Sequence, residues 1–154
     1  MSGRFENLFF RPITRDDLPT LHRWIQRPHV AEWWNSPSTL ADVEDDYVPS
    51  ITGATSTKAY IASLNQVPVG FIQAYVVMDS GGGWWESGND PGARGVDQFL
   101  ADPDRLNQGL GTAMIRNFVA SLFDDPAVTK VQTDPSPATD AASEAFTRRK
   151  PRRT

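Results

Sequence analysis

Apolar positions along the chain switch between two spacings, and each switch marks an element. Residues 8–13 carry a β-like run that predicts a first strand. Thr14-Arg15-Asp16-Asp17 then forms a cap-like opening to a helix that buries Leu18, Leu21, Trp24 and Ile25. Ser38 and Thr39 begin a second helix with Leu40, Val43 and Tyr47 on one face, ending near Pro49. Residues 58–64 and 69–78 read as strands joined by the turn Asn65-Gln66-Val67-Pro68, and residues 79–94 as a glycine-rich loop. Val96, Phe99 and Leu100 then have the character of a short buried strand. An acidic loop leads to Gly109 and Gly111, where an amphipathic helix begins. Its stripe is Leu110, Met114, Phe118 and Leu122 at i+4 spacing, widened by Ile115 and Val119. Asp124-Asp125-Pro126 stops it, because proline cannot continue a helix. Residues 128–133 predict a last strand. The order is strand, two helices, three strands, helix, strand, an α/β arrangement with no internal repeat and no linker to a second domain.

Composition narrows the class. A chain of 154 residues accommodates one domain with an adequate core. No apolar run approaches the roughly 20 residues of a membrane span, and the N-terminus lacks a signal-peptide core. Zero cysteines exclude disulfides, thiol nucleophiles and thiolate metal sites. Only His22 and His29 are present, so no metal site is expected. The expectation is a soluble cytoplasmic protein. All nineteen acids precede residue 148, whereas five of the fifteen bases follow residue 147, so the body up to Thr147 carries a charge of −9. Such a body repels nucleic acid and attracts cations, or simply keeps the protein soluble.

The glycine pair is the first candidate site. Gly109 and Gly111 flank Leu110 at a helix entrance, where first-turn amides and the positive end of the helix dipole accept a phosphate without basic side chains. A plain turn is the alternative. Met114 stands where the dinucleotide fingerprint needs a third glycine, and no Gly-Lys-Ser/Thr loop exists. A strand feeding a glycine-opened helix suits a CoA-type pyrophosphate.

Aromatic pairs and carboxylates supply the second. Trp33-Trp34 follows Glu32, and Trp84-Trp85 lies between Gly83 and Glu86. One tryptophan of each pair packing into the core is the simpler reading. Aromatic faces beside acids also suit a cationic, ring-shaped ligand. Asp97 stands out of place in the run Val96-Asp97-Gln98-Phe99, either on the outward face of an edge strand or at a site of chemistry. Asp134 before Pro135, and Asp90-Pro91-Gly92, read as turn acids or ligand contacts. Asp42, Glu44, Asp45 and Asp46 read as a solvated helix face.

The window Leu106-Asn107-Gln108-Gly109-Leu110-Gly111 resembles motif A of the GNAT acetyltransferases, Arg/Gln-x-x-Gly-x-Gly/Ala, with Leu106 departing from it. Glu32-Trp33-Trp34, Gly83-Trp84-Trp85-Glu86, Asp90 to Gln98 and Asp124 to Pro137 together resemble one branch, the aminoglycoside 6'-N-acetyltransferases, over residues 8–137. The resemblance implies a GNAT-type mixed central sheet flanked by helices. It also implies transfer of acetyl from acetyl-CoA to the 6'-amine of antibiotics such as kanamycin or tobramycin, and hence antibiotic resistance. By the same resemblance Asp97 is the catalytic base. Trp34, Trp84, Trp85, Glu86, Gln98 and Asp134 are substrate-side, and Phe99, Leu100, Gln108, Gly109, Leu110, Gly111 and Thr112 hold acetyl-CoA.

Two departures shape the expectation. Gly82 stands where relatives often carry an acid. After Pro137 the family continues with a helix and further strands, including a tyrosine that protonates the departing thiolate. Here Phe146 lies near that position and no tyrosine follows Tyr75. The expectation is therefore an acetyltransferase domain over 1–137, incomplete at its C-terminus, and an atypical basic tail over 138–154, disordered or partly helical. Loss of the last strands would leave an open sheet edge after 128–133, unless the tail or a homodimer partner covers it. Two rival functions stand beside the enzyme: drug sequestration without turnover, and acetylation of another small amine.

Overall fold

The computed structural model describes residues 7–31, 39–76, 91–105, 109–133 and 145–147. Six strands form one sheet in chain order: β1 (Leu8–Pro12), β2 (Lys58–Leu64), β3 (Val67–Val76), β4 (Ala93–Leu100), β5 (Lys130–Thr133) and β6 (Ala145–Thr147). Every neighbouring pair is antiparallel except β4 and β5, which run parallel. The helices are α1 (Leu18–Ile25), α2 (Pro28–Ala31), α3 (Leu40–Thr52) and α4 (Leu110–Leu122). Helix α4 is the crossover between β4 and β5, as a parallel pair requires.

Strand alternation divides the core in two. On one face Ala59, Ile61, Phe71 and Phe99 pack against Leu21, Trp24 and Ile25 of α1 and Val43 and Tyr47 of α3. Phe71 and Phe99 stack there with centroids 5.4 Å apart, and Trp24 meets Phe99 edge-on at 6.3 Å. On the other face Ala62, Ile72, Val96 and Leu100 pack against Leu110, Met114, Ile115 and Phe118 of α4. Truncating either stacked phenylalanine to alanine would cost about 3–5 kcal/mol.

Several local boundaries differ from the sequence expectation. Asn65 (φ 52°) and Gln66 (φ 69°) are both left-handed, so two residues close the β2–β3 hairpin and Val67-Pro68 joins β3. A paired left-handed turn matches strand twist, which a longer turn would not need to do. Helix α3 runs past Pro49 to Thr52 and ends on Gly53, whose φ of 85° makes it a left-handed cap. Ala93 and Arg94, expected in the loop, open β4 because β5 pairs with them. The short helix α2 follows α1 where no element was expected. Residues of the C-terminal tail form β6, which pairs with β5 and covers the edge that the sequence left open.

Asp17 links β1 to α1. Its carboxylate accepts hydrogen bonds from Arg11 Nη1 at 2.7 Å and Nη2 at 2.9 Å, and from the Thr14 N–H at 2.8 Å. The Arg11 hydrogen bond is the main cause that holds the Asp17 carboxyl below the usual carboxylate range; partial burial opposes it and the Thr14 amide adds to it. A carboxylate whose folded pKa lies below the unfolded value stabilises fully above about pH 4 and loses that contribution as pH falls through the folded value. Asp17→Asn is expected to cost about 1 kcal/mol at pH 7, since Arg11 is half exposed and solvent screens the pair. Denaturant titrations at pH 7 and pH 3 check this: the difference from wild type should shrink at pH 3, and an equal loss at both would contradict it.

Candidate active site

Strand β4 is paired unequally on its two sides. Its antiparallel ladder with β3 runs from Arg94 to Leu100, whereas among the described residues its parallel ladder with β5 covers Ala93 to Val96. Direction along the strand follows from two bonds. The Ala101 N–H donates to Val69 O on the β3 side, and Gly92 O accepts from the Thr129 N–H on the β5 side. Alternation then turns the N–H and C=O of Gln98 and Leu100 toward the β5 side, beyond the last described β5 partner. The Leu100 carbonyl is met by His29 Nε2 at 2.7 Å, which must donate because a carbonyl only accepts. Arg27 Nη1 donates to the next carbonyl, that of Ala101.

Asp97 lies in this half-laddered stretch. The strand order places β4 between β3 and β5, so Asp97 is not on an edge strand. Its backbone is directly opposite Gln73 in the register, and Gln73 Nε2 donates to Asp97 Oδ2 at 3.4 Å. On one side of the pair is the stacked Phe71–Phe99 pair. On the other is Tyr75, whose ring fills the space a Cβ on Gly95 would need, with ring atoms 2.1–2.5 Å from it. Gly95 is therefore the position that lets Tyr75 lie against the strand.

Gln98 points the opposite way, beneath α4. It is buried, its Nε2 donates to Gly111 O at 2.9 Å, and its Oε1 has no hydrogen-bond partner among the described residues. The strand carrying Asp97 is thus tied to the first turn of the glycine-opened helix by the very next residue. Gly109 is the cap of that helix, with φ 86°, and its carbonyl receives the Ala113 N–H at 3.0 Å. First-turn amides point out of this N-terminal end, where the helix dipole is positive. No acidic residue occupies that first turn. An anion therefore meets amides and no opposing charge from the helix itself.

The expected site residues separate by what their side chains do. Phe99 and Leu110 are core side chains, and Leu100 is buried against α4; Leu100 and Leu110 have backbone alone to offer a ligand, while the Phe99 backbone is turned toward β3. Gly109, Gly111 and Thr112 begin α4, as expected. Trp34, Trp84, Trp85, Glu86, Gln108 and Asp134 lie outside the described residues. Gln73, Arg27 and His29 were not anticipated. An amide inside the apolar run of β3 is as out of place as Asp97 in β4, and that was the available signal for Gln73.

A cavity of about 280 Å³ adjoins Gln73 and is also lined by Asp46, Tyr47, Ser50, Thr55 and Thr57. Asp46, read as part of a solvated helix face, is exposed yet lines this cavity. Partial desolvation pushes its carboxyl above the usual range, reinforced by Asp42 and Asp45. Among the described residues no group of three or more His, Cys, Asp or Glu side chains forms a metal cluster. None of the described helices is long and apolar enough to cross a membrane.

Comparison with known proteins matches this geometry to a family. A family model described as an acetyltransferase (GNAT) domain matches residues 14–153. The aminoglycoside N(6')-acetyltransferase type 1 of Klebsiella pneumoniae is 48% identical over 136 residues, which are 86% of this chain and 68% of that protein. A crystal structure of the aminoglycoside acetyltransferase AAC(6')-Ib with coenzyme A is 50% identical, with a TM-score of 0.77, covering 84% of this chain and 75% of that one. The same enzyme with coenzyme A and kanamycin gives 51% identity and a TM-score of 0.76 over the same shares of each chain.

The left-handed cap generates a test. A Cβ at Gly109 would strain a φ of 86° by about 1–2 kcal/mol. Gly109→Ala is expected to lower the thermal midpoint by roughly 2–8 °C, and an unchanged midpoint by calorimetry would contradict the cap's role.

Proposed function

We propose that this chain, which belongs to the GNAT acetyltransferases and within them to the aminoglycoside N(6')-acetyltransferases, moves an acetyl group from acetyl-CoA to the 6'-amine of aminoglycoside antibiotics. The observation that carries the reading is the position of Asp97 on β4, next to the last described β5 pairing and one residue from the Gln98 anchor on Gly111. An amine-handling acid and an anion-accepting helix end then share one strand.

The residues divide the work as follows. Amides of Gly109 to Thr112, with Gln108, receive the pyrophosphate, and the β4 backbone at Gln98 to Leu100 lies along the rest of acetyl-CoA. When bound, that co-substrate supplies the thioester carbonyl. Strand amides aimed at its oxygen would stabilise developing negative charge. Asp97 takes a proton from the drug's ammonium, directly or through water, since a protonated amine has no lone pair for attack. The freed nitrogen forms its bond to the acetyl carbon as the carbon–sulfur bond breaks; the acylated nitrogen then sheds its extra proton, and the departing thiolate takes up one proton through solvent, which leaves the amide and the free thiol. Trp34, Trp84, Trp85, Glu86 and Asp134 take the drug-side roles that the family resemblance gives them. Acidic walls concentrate a polycation, and the charge of −9 on the body has the sign for it. An intracellular co-substrate assigns the enzyme to the cytoplasm.

Mass spectrometry tests this directly. Purified protein incubated with acetyl-CoA and kanamycin is expected to add a single acetyl group to the drug. Drug binding by calorimetry with no mass change would sink catalysis and leave sequestration. Asp97→Asn is expected to slow turnover about 100-fold or more; an unchanged rate would remove Asp97 from the mechanism.

A further inference from the structure

We infer that Gln73 is a positioning residue for the Asp97 carboxylate, an inference that rests on the acetyl-transfer reading above. Three observations lead to it. The uninterrupted β3–β4 register fixes the two backbones opposite one another. Ala101 N–H bonded to Val69 O makes 69 and 101 a hydrogen-bonded pair, and counting by twos makes 73 and 97 one as well. Both side chains therefore leave the same face from the same fixed point, and the amide of Gln73 reaches Asp97 Oδ2 at 3.4 Å. Finally, the pair is bracketed by the rigid Phe71–Phe99 stack and by Tyr75 lying over Gly95, so neither neighbour leaves much room for the amide to swing.

The choice of residue type fits the task. A carboxylate that must accept a proton from an ammonium has to be oriented without being neutralised. A lysine or arginine opposite Asp97 would pair with it, hold it firmly ionised and repel the incoming cation. An aliphatic residue would remove the restraint that comes from the β3 side. A neutral amide donor restrains the carboxylate and adds no charge. Because the carboxylate must receive a donor, the amide is oriented with Nε2 toward Asp97 and its carbonyl Oε1 turned away. Gln73 also lines the cavity that Asp46 lines.

The test uses full-length protein and steady-state kinetics with acetyl-CoA and kanamycin. Gln73→Met keeps length and loses the donor; its kcat is expected to fall about tenfold, the size of one lost charge-assisted hydrogen bond. The KM for acetyl-CoA and the thermal midpoint should stay at wild-type values, which a merely structural role would move. Gln73→Glu, of equal length but anionic, should lose more than the methionine variant while remaining folded. A kcat within twofold of wild type in both variants, or losses that track a falling midpoint, overturns the inference alone. A wild-type protein that acetylates nothing overturns the parent reading and this one with it.

Discussion

The structure turns on the unequal pairing of one strand. β4 is laddered along its length by β3 but shares only four register positions with β5. Parallel partners give slanted, slightly weaker pairing and need a long crossover, here supplied by α4. Where the second ladder stops, backbone groups of Gln98 and Leu100 face a side without a described strand. Burying such groups is costly unless something meets them. His29 meets the Leu100 carbonyl, and the Gln98 side chain ties the strand to α4.

The two faces of that strand carry different duties because alternation is strict. Even positions pack Val96, Gln98 and Leu100 under α4, on the side of the glycine-opened helix end. Odd positions carry Gly95, Asp97 and Phe99 toward α1 and α3. Asp97 and the Gln98 anchor on Gly111 are thereby neighbours in sequence on opposite faces of the strand. The apolar floor made by Phe71, Phe99, Trp24 and Tyr47 keeps that geometry stiff.

Much of this was legible in the chain. The stripe of α4 and the runs of β2 and β3 follow directly from periodicity; of the stripe, Leu110, Met114, Ile115, Phe118 and Val119 are buried and Leu122 is half-buried. Asp97 and the Gly109 entrance were visible as residues at odds with their surroundings. Other features were not, for identifiable reasons. Pro49 reads as a helix stop, yet the turn tolerated it and Gly53 supplied the real end. Asn65-Gln66 is a weak turn signal because neither is glycine, and both nonetheless adopt positive φ. Gln73 interrupts the apolar run of β3, but its partner Asp97 is fixed by the β3–β4 register, which that local signal does not encode. His29 and Arg27 escaped likewise, since the carbonyls they meet lie about 70 residues away, with separations of 71 and 74.

The central claim is that the stretch of β4 beyond its described pairing with β5 and the first turn of α4 form one binding surface for the acetyl donor. Hydrogen–deuterium exchange with and without coenzyme A tests it most directly. Amides in peptides covering 97–101 and 109–115 should exchange more slowly with the ligand, while those of β1 and β2 remain unchanged. Unaltered exchange across 97–115, or protection confined to β1 and β2, would contradict the account.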